Sequence, residues 1–83
     1  MKISVRYFAS LREALGAGER AEVGEGATVA ELRDHLLRLS EPHARVLSRE
    51  RAVRCAVNQR MCAEDEPLAD GAEVAFFPPV TGG

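Results

Sequence analysis

Only one segment of this sequence can form a long amphipathic helix, and that limits what the alternating segments around it can build. After Thr28, the apolar residues Val29, Leu32, Leu36, Leu37 and Leu39 recur at helical spacing, and Arg33, Asp34 and Arg38 fall on the outward face. Thr28 followed three residues later by Glu31 is a capping box. Pro42 disfavours helical geometry at Glu41, so the helix is predicted to stop near Ser40. A single helix of this length covers one face of a small sheet and leaves the other open.

The remaining segments read mainly as strands. Lys2 to Tyr7 alternates, with Ile3, Val5 and Tyr7 inward and Ser4 and Arg6 outward. Phe8 either shares that outward face or lies past the strand. Ala9 to Leu15 reads as a short helix, with Ser10 and Glu13 as its capping box and Gly16 and Gly18 as its stop. Glu19 to Val23 is a second strand, with Ala21 and Val23 on one face, and forms an antiparallel hairpin with the first. His43 to Arg51 is charged and reads as an exposed, partly helical connection, with His43 a solvated loop residue. Val53, Cys55 and Val57 alternate inward. Asn58-Gln59 makes a tight turn into a short return strand from Arg60 to Cys62. Leu68 is a lone apolar anchor, and Asp70-Gly71 turns the chain into a last strand, Glu73 to Phe77, with Val74 and Phe76 inward. The predicted class is α+β, a mixed four- to five-stranded sheet with one main helix packed on one face.

On the uncovered face the alternation places Ser4, Arg6, Phe8, Ala75 and Phe77, joined by Met61 past the hairpin turn. A phase shift of one residue would bury the aromatics instead, but Phe76 and Phe77 are adjacent and cannot both point inward in a regular strand. Two Phe and a Met on an open face imply a docking surface. Beside it the chain leaves the sheet, because Pro78 and Pro79 cannot donate to a strand ladder. The chain then ends in Val80-Thr81-Gly82-Gly83. Taken alone, such an ending is most simply a frayed terminus. Residues 1–79 are expected to form one domain and 80–83 a flexible tail.

Composition excludes several classes. Eighty-three residues with net charge −2 and mixed signs give one modest core and no basic footprint for nucleic acid. The opening residues alternate, so no secretory leader is expected, and no apolar run is long enough to span a membrane. Cys55 and Cys62 are spaced as C-x6-C with no nearby His, a poor metal motif, so no metal is expected. Two thiols without a leader suggest a reducing, cytoplasmic setting. Cys55 reads as core and Cys62 as incidental.

Several stretches together resemble one family. They are Ile3-Ser4-Val5-Arg6-Tyr7-Phe8-Ala9 followed by Leu11-Arg12-Glu13, then Thr28-Val29 and Ala56-Val57-Asn58-Gln59. The most specific is the ending, Pro67-Leu68, Asp70-Gly71 and Glu73-Val74-Ala75-Phe76-Phe77-Pro78-Pro79-Val80-Thr81-Gly82-Gly83. The chain resembles, over nearly its whole length, the small sulfur-carrier subunit of molybdopterin synthase, a ubiquitin-like β-grasp family. Residues 40–52 carry no part of that likeness.

The resemblance implies a function. A ubiquitin-activating-type enzyme would use ATP and magnesium to adenylate the Gly83 carboxylate, which is otherwise ionised and a poor acyl donor. A sulfur donor would then convert it to a thiocarboxylate. The large catalytic subunit would receive the tail, in a heterotetramer, and pass the sulfur to cyclic pyranopterin monophosphate. This chain would bind no cofactor and supply no catalytic side chain. Val80, Thr81, Gly82 and Gly83, extended, would reach about 13–14 Å beyond Pro79. Phe8, Met61, Phe77, Pro78 and Pro79 would meet the partners. Alternatives are a sulfur carrier for thiazole synthesis or tRNA thiolation, a protein-modifying tag, and a binding domain with an inert end.

Overall fold

A computed structural model describes residues 1–79. The expected tail, residues 80–83, lies outside the described residues. In chain order the elements are β1 (Lys2–Tyr7), α1 (Ala9–Leu15), β2 (Gly18–Glu22), α2 (Val29–Leu37), α3 (Glu41–Leu47), β3 (Arg54–Val57), β4 (Arg60–Cys62) and β5 (Glu73–Phe77). The five strands form one mixed sheet in the order β2-β1-β5-β3-β4. Two hairpins, β1–β2 and β3–β4, are antiparallel. The last strand enters between them, parallel to β1 and antiparallel to β3. This is the ubiquitin-like β-grasp arrangement.

The alternation in the sequence becomes an inside and an outside. Ile3, Val5 and Tyr7 from β1, Ala21 from β2, Cys55 from β3, and Val74 and Phe76 from β5 face the helices. Val29, Leu32 and Leu36 of α2 pack on them, with Leu11 of α1 and Leu68. Phe76 is fully buried at the centre, where truncation of such a side chain costs about 3–5 kcal/mol. Gly18 is required by proximity: a Cβ there would collide with the Val5 carbonyl oxygen of the facing strand. The Asn58-Gln59 turn forms as expected, both residues at positive φ, 50° and 67°, which suits a two-residue hairpin.

The expected capping box on α2 is present. The Thr28 hydroxyl accepts from the Glu31 N–H, and the Glu31 carboxylate accepts from the Thr28 N–H. The two other exposed donors of the first turn, Val29 and Ala30, are satisfied by the carbonyls of Glu66 and Glu64. Thus the 63–68 loop is stitched to the helix start.

Five sequence expectations are corrected. The Ser10–Glu13 capping box of α1 does not form; Phe8 is the N-cap, with no side-chain cap. The N–H groups of Leu11 and Arg12 bond the Phe8 carbonyl instead. Leu39 lies beyond the end of α2 and is exposed. The connection after α2 is partly helical, as expected, but not exposed throughout: its helix, α3, is capped by the Ser40 hydroxyl and anchored by a fully buried Leu47. Within α3, Pro42 sits in the first turn, where its missing N–H needs no partner. His43, expected in a solvated loop, is half-buried and bridges Ser40 Oγ and Glu19 Oε2, each at 2.7 Å. Tyr7 Oη donates to the same Glu19 oxygen at 2.7 Å. Burial and the Glu19 bond together raise the Tyr7 phenol.

The fifth correction is Arg33, placed outward by the helical stripe and found buried. Its Nε donates to the Leu47 carbonyl at 2.8 Å, and its Nη2 to the carbonyls of Ser48 and Arg51 at 2.6 and 3.0 Å. Its Nη1 pairs with Glu64 Oε2 at 2.6 Å. Arg49 also pairs with Glu64, and with Asp34 at 2.7 Å. A guanidinium can be buried only when its donors are matched in this way. Here that matching closes the end of α3 onto α2.

Arg33→Ala should therefore destabilise the fold by about 3 kcal/mol, read from the denaturant midpoint, while Arg38→Ala on the exposed side should change it by no more than about 0.5 kcal/mol. The carboxyls of Glu19 and Glu64 give a pH prediction. Burial alone would raise both, but hydrogen bonds from Tyr7 and His43 to Glu19, and from Arg33 and Arg49 to Glu64, outweigh it and hold both below 4.5. Their contribution is complete above that value and is lost as pH falls through the folded-state values. Stability should thus decline below about pH 4.5, and Glu64→Gln should flatten the decline in a denaturation series across pH.

Candidate functional site

The three helices share one side of the sheet, and the other side is the site. Strand register fixes its layout. In one row across the sheet, Arg6 of β1 lies beside Ala75 of β5, Ala75 beside Ala56 of β3, and Ala56 beside Met61 of β4. In the next row Phe77 of β5 lies beside Arg54 of β3. At the other end Ser4 lies between Arg20 of β2 and Glu73 of β5.

Phe8 comes directly after β1. Its backbone N–H donates to the Phe76 carbonyl at 3.1 Å, continuing the β1–β5 ladder past the strand end. This bond ties Phe8 to the point where the chain leaves β5 through Phe77 and Pro78. Phe8 is 38% exposed, and the guanidinium of Arg6 lies 5.5 Å from its ring centroid, a cation–π contact. Arg6 also approaches Glu73 at 3.8 Å. Phe77 and Pro78 are half-buried and Pro79 is exposed.

Both readings of Phe8 hold in part: the strand ends before it, and its ring is nonetheless exposed next to the outward row. Phe77 is on the open face as the phase required. Met61 is there as well, 58% exposed, but two strands from β5, roughly 10 Å away at the usual strand spacing. Phe8, Phe77, Pro78 and Pro79 therefore form one cluster at the exit, and Met61 marks the far edge of the same face. Val80, Thr81, Gly82 and Gly83 lie outside the described residues.

Sequence reasoning missed Arg54 and Ala56. The alternation that turned Cys55 inward also turns these two outward, but only the strand order shows that Arg54 flanks Phe77 and that Ala56 and Ala75 occupy the middle of the face. Two adjacent alanines leave a low apolar floor between Phe8 and Phe77 at one end and Met61 at the edge. Arg6, Arg20 and Arg54 supply positive charge around it. Among the described residues, no group of three or more His, Cys, Asp or Glu side chains could hold a metal ion. Nor is any described helix long and apolar enough to cross a membrane. The face is apolar at its centre, with Arg6, Arg20, Arg54 and Glu73 around it and the chain exit at one corner.

Comparison with known proteins identifies the family and the fold. The sequence pattern of the ThiS family matches residues 5–83. A molybdopterin synthase sulfur carrier subunit of Escherichia coli is 43% identical over 81 residues, 98% of this chain and 99% of that protein. The crystal structure of Haloferax volcanii small archaeal modifier protein 1 superposes with a TM-score of 0.76 at 30% identity, covering 95% of this chain and 98% of that one. A chain from the complex of subunits 1 and 2 of the molybdopterin-converting factor of Helicobacter pylori gives 0.70 at 26% identity, covering both chains completely. The chain thus belongs to the ThiS family and, within it, to the molybdopterin synthase sulfur carrier subunits, with the ubiquitin-like β-grasp fold.

Proposed function

We propose that this chain carries sulfur on the carboxyl group of Gly83, for delivery to the molybdopterin precursor inside a larger catalytic subunit. The observation that carries the proposal is the position of the exit. Phe77, Pro78 and Pro79 leave the sheet at the corner of an open apolar face, beside Phe8. A partner that seats on this face receives the residues beyond Pro79. The solved Helicobacter pylori relative, in complex with its second subunit, supports that use of the fold.

The chemistry starts from the acyl group. A free carboxylate resists substitution because it is ionised. A ubiquitin-activating-type enzyme, using ATP and magnesium in the cytoplasm, joins a Gly83 oxygen to the α-phosphorus of ATP and expels pyrophosphate. Hydrosulfide released by a sulfur donor then attacks the acyl carbon and expels AMP, leaving a thiocarboxylate. The large subunit of the heterotetramer directs this sulfur to cyclic pyranopterin monophosphate, where two such transfers make the dithiolene. Gly82 and Gly83 lack Cβ atoms, which leaves the acyl carbon open to attack in a narrow channel. Pro78 and Pro79 restrict the exit and reduce the entropy lost on insertion. The same face docks on both partners, so the two engagements exclude each other. No side chain of this domain takes part in bond making.

A second reading is favoured by the likeness to small archaeal modifier protein 1. The same activated Gly83 could be joined to lysines of other proteins, and isopeptide-linked adducts recovered from cells would identify that use.

Intact mass decides the central step. Incubated with the activating enzyme, MgATP and a sulfur donor, the protein should gain the mass of one oxygen exchanged for sulfur, localised to Gly83 by fragmentation. An unchanged mass, where an established carrier converts, refutes the proposal. For the face, Phe77→Asp should weaken binding to the large subunit by about 2 kcal/mol or more, roughly thirtyfold in Kd, with circular dichroism and the denaturant midpoint preserved. Loss of the fold instead would mean that Phe77 serves the core.

A further inference from the structure

The two cysteines look unrelated in sequence, and the sheet makes them partners. Cys55 of β3 and Cys62 of β4 are directly opposed across the hairpin. Both turn to the helix side of the sheet, with Cys55 buried and Cys62 partly so. Their Sγ atoms are 3.8 Å apart, and Cys55 Sγ also lies 3.4 Å from the Cys62 carbonyl oxygen. Directly opposed antiparallel residues have Cα atoms about 4.5–5.5 Å apart, within the roughly 4.4–6.8 Å that a disulfide spans. Rotation of the two side chains, with a small inward shift of the short edge strand β4, can therefore close the gap. Both thiols are free.

Access is from one side. Cys62 lines a surface groove of about 250 Å³ with Arg60, Met61 and Glu66, among others, whereas Cys55 lies beneath it and lines no part of that groove. Burial, and then the neighbouring Cys62, push the Cys55 thiol up to about 12. The exposed sulfur is thus the point of entry, and the buried one acts second.

We propose that Cys55 and Cys62 are a redox-active dithiol that low-molecular-weight disulfides oxidise to an intrachain, cross-strand disulfide. In the first step the Cys62 thiolate attacks one sulfur of the small disulfide and expels one small thiolate, giving a mixed disulfide at Cys62. In the second, Cys55 gives its proton to solvent and attacks Cys62 Sγ, expelling the second small thiolate. Two protein thiols are oxidised and one small disulfide is reduced to two thiols. The new bond pins β4, a three-residue edge strand whose opposite face carries Met61. The oxidation state of the pair thereby sets how firmly one border of the docking face is held.

The full chain should be incubated anaerobically with oxidised glutathione, quenched with a thiol-alkylating reagent and weighed intact. The expected product is a monomer lighter by two hydrogens that takes up no alkyl group and returns to two alkylatable thiols with dithiothreitol. Cys55→Ser should accumulate the glutathione mixed disulfide at Cys62, and Cys62→Ser should leave Cys55 unmodified under the same conditions. Two alkylatable thiols in the wild type, a wild type halted at the mixed disulfide, or a disulfide-linked dimer would overturn the proposal. A Cys55→Ser variant that forms no mixed disulfide would overturn it as well.

Discussion

The structure depends on the register of β5. Phe76 and Phe77 are neighbours in sequence and belong to opposite faces, one at the centre of the core and the other on the open face. A slip of one residue would exchange them, putting Phe77 under the helices and Phe76 outside. Bonds at both ends hold the register. At the start, Glu73 and Asn58 exchange two hydrogen bonds, with the Asn58 N–H donating to the Glu73 carbonyl at 2.8 Å and the Glu73 N–H to the Asn58 side chain at 3.0 Å. At the finish, the Phe8 N–H holds the Phe76 carbonyl. The turn that makes the β3–β4 hairpin thus also sets the strand next to it, and the residue that begins α1 fixes where the chain leaves.

Polar groups complete what the apolar stripe leaves undone. The stripe on α2 specifies packing on the sheet but not the position of α3. That position is set by Arg33 and Leu47 together. Leu47 fills the core, and Arg33 binds the carbonyls of Leu47, Ser48 and Arg51 at the end of α3 and in the turn that follows. On the other side of α3, His43 reaches Glu19 of β2, which also holds Tyr7. One short helix is therefore fastened at both of its own ends by charged or ionisable groups, which offsets its few apolar residues. This division suits a small chain, where the hydrophobic core alone supplies little margin.

Most of the fold was legible because β1, β3 and β5 have one clean inward face each, and because Thr28–Glu31 marks a helix start with little ambiguity. The open face was legible for the same reason, through Phe77 and Phe8. What escaped is what depends on distant partners. Arg33 reads as solvent-facing because its matching carbonyls come from residues 47–51, which carry no pattern of their own. The first-turn position of Pro42 and the burial of Leu47 were hidden in a segment too short and charged for periodicity to register. The place of Arg54 beside Phe77 needed the strand order, because β5 entering between two hairpins is a tertiary fact, whereas the Cys55–Cys62 pairing follows from the register of the Asn58-Gln59 turn. Ala9, at φ 52°, opens α1 in a conformation disfavoured for a residue with a Cβ, and nothing in the local sequence announces it.

The central place of β5 has a consequence for the order of events in a cell. Without it, β2–β1 and β3–β4 are two separate hairpins with no shared ladder, and the core lacks Val74 and Phe76. The ribosome makes this strand after every other described element, so both hairpins are made before the strand that joins them. The step that completes the platform is the same step that sets Phe77, Pro78 and Pro79 at its corner. A chain opened at β5 has neither the face nor the exit at its corner, so a partner that requires both would engage only the joined sheet.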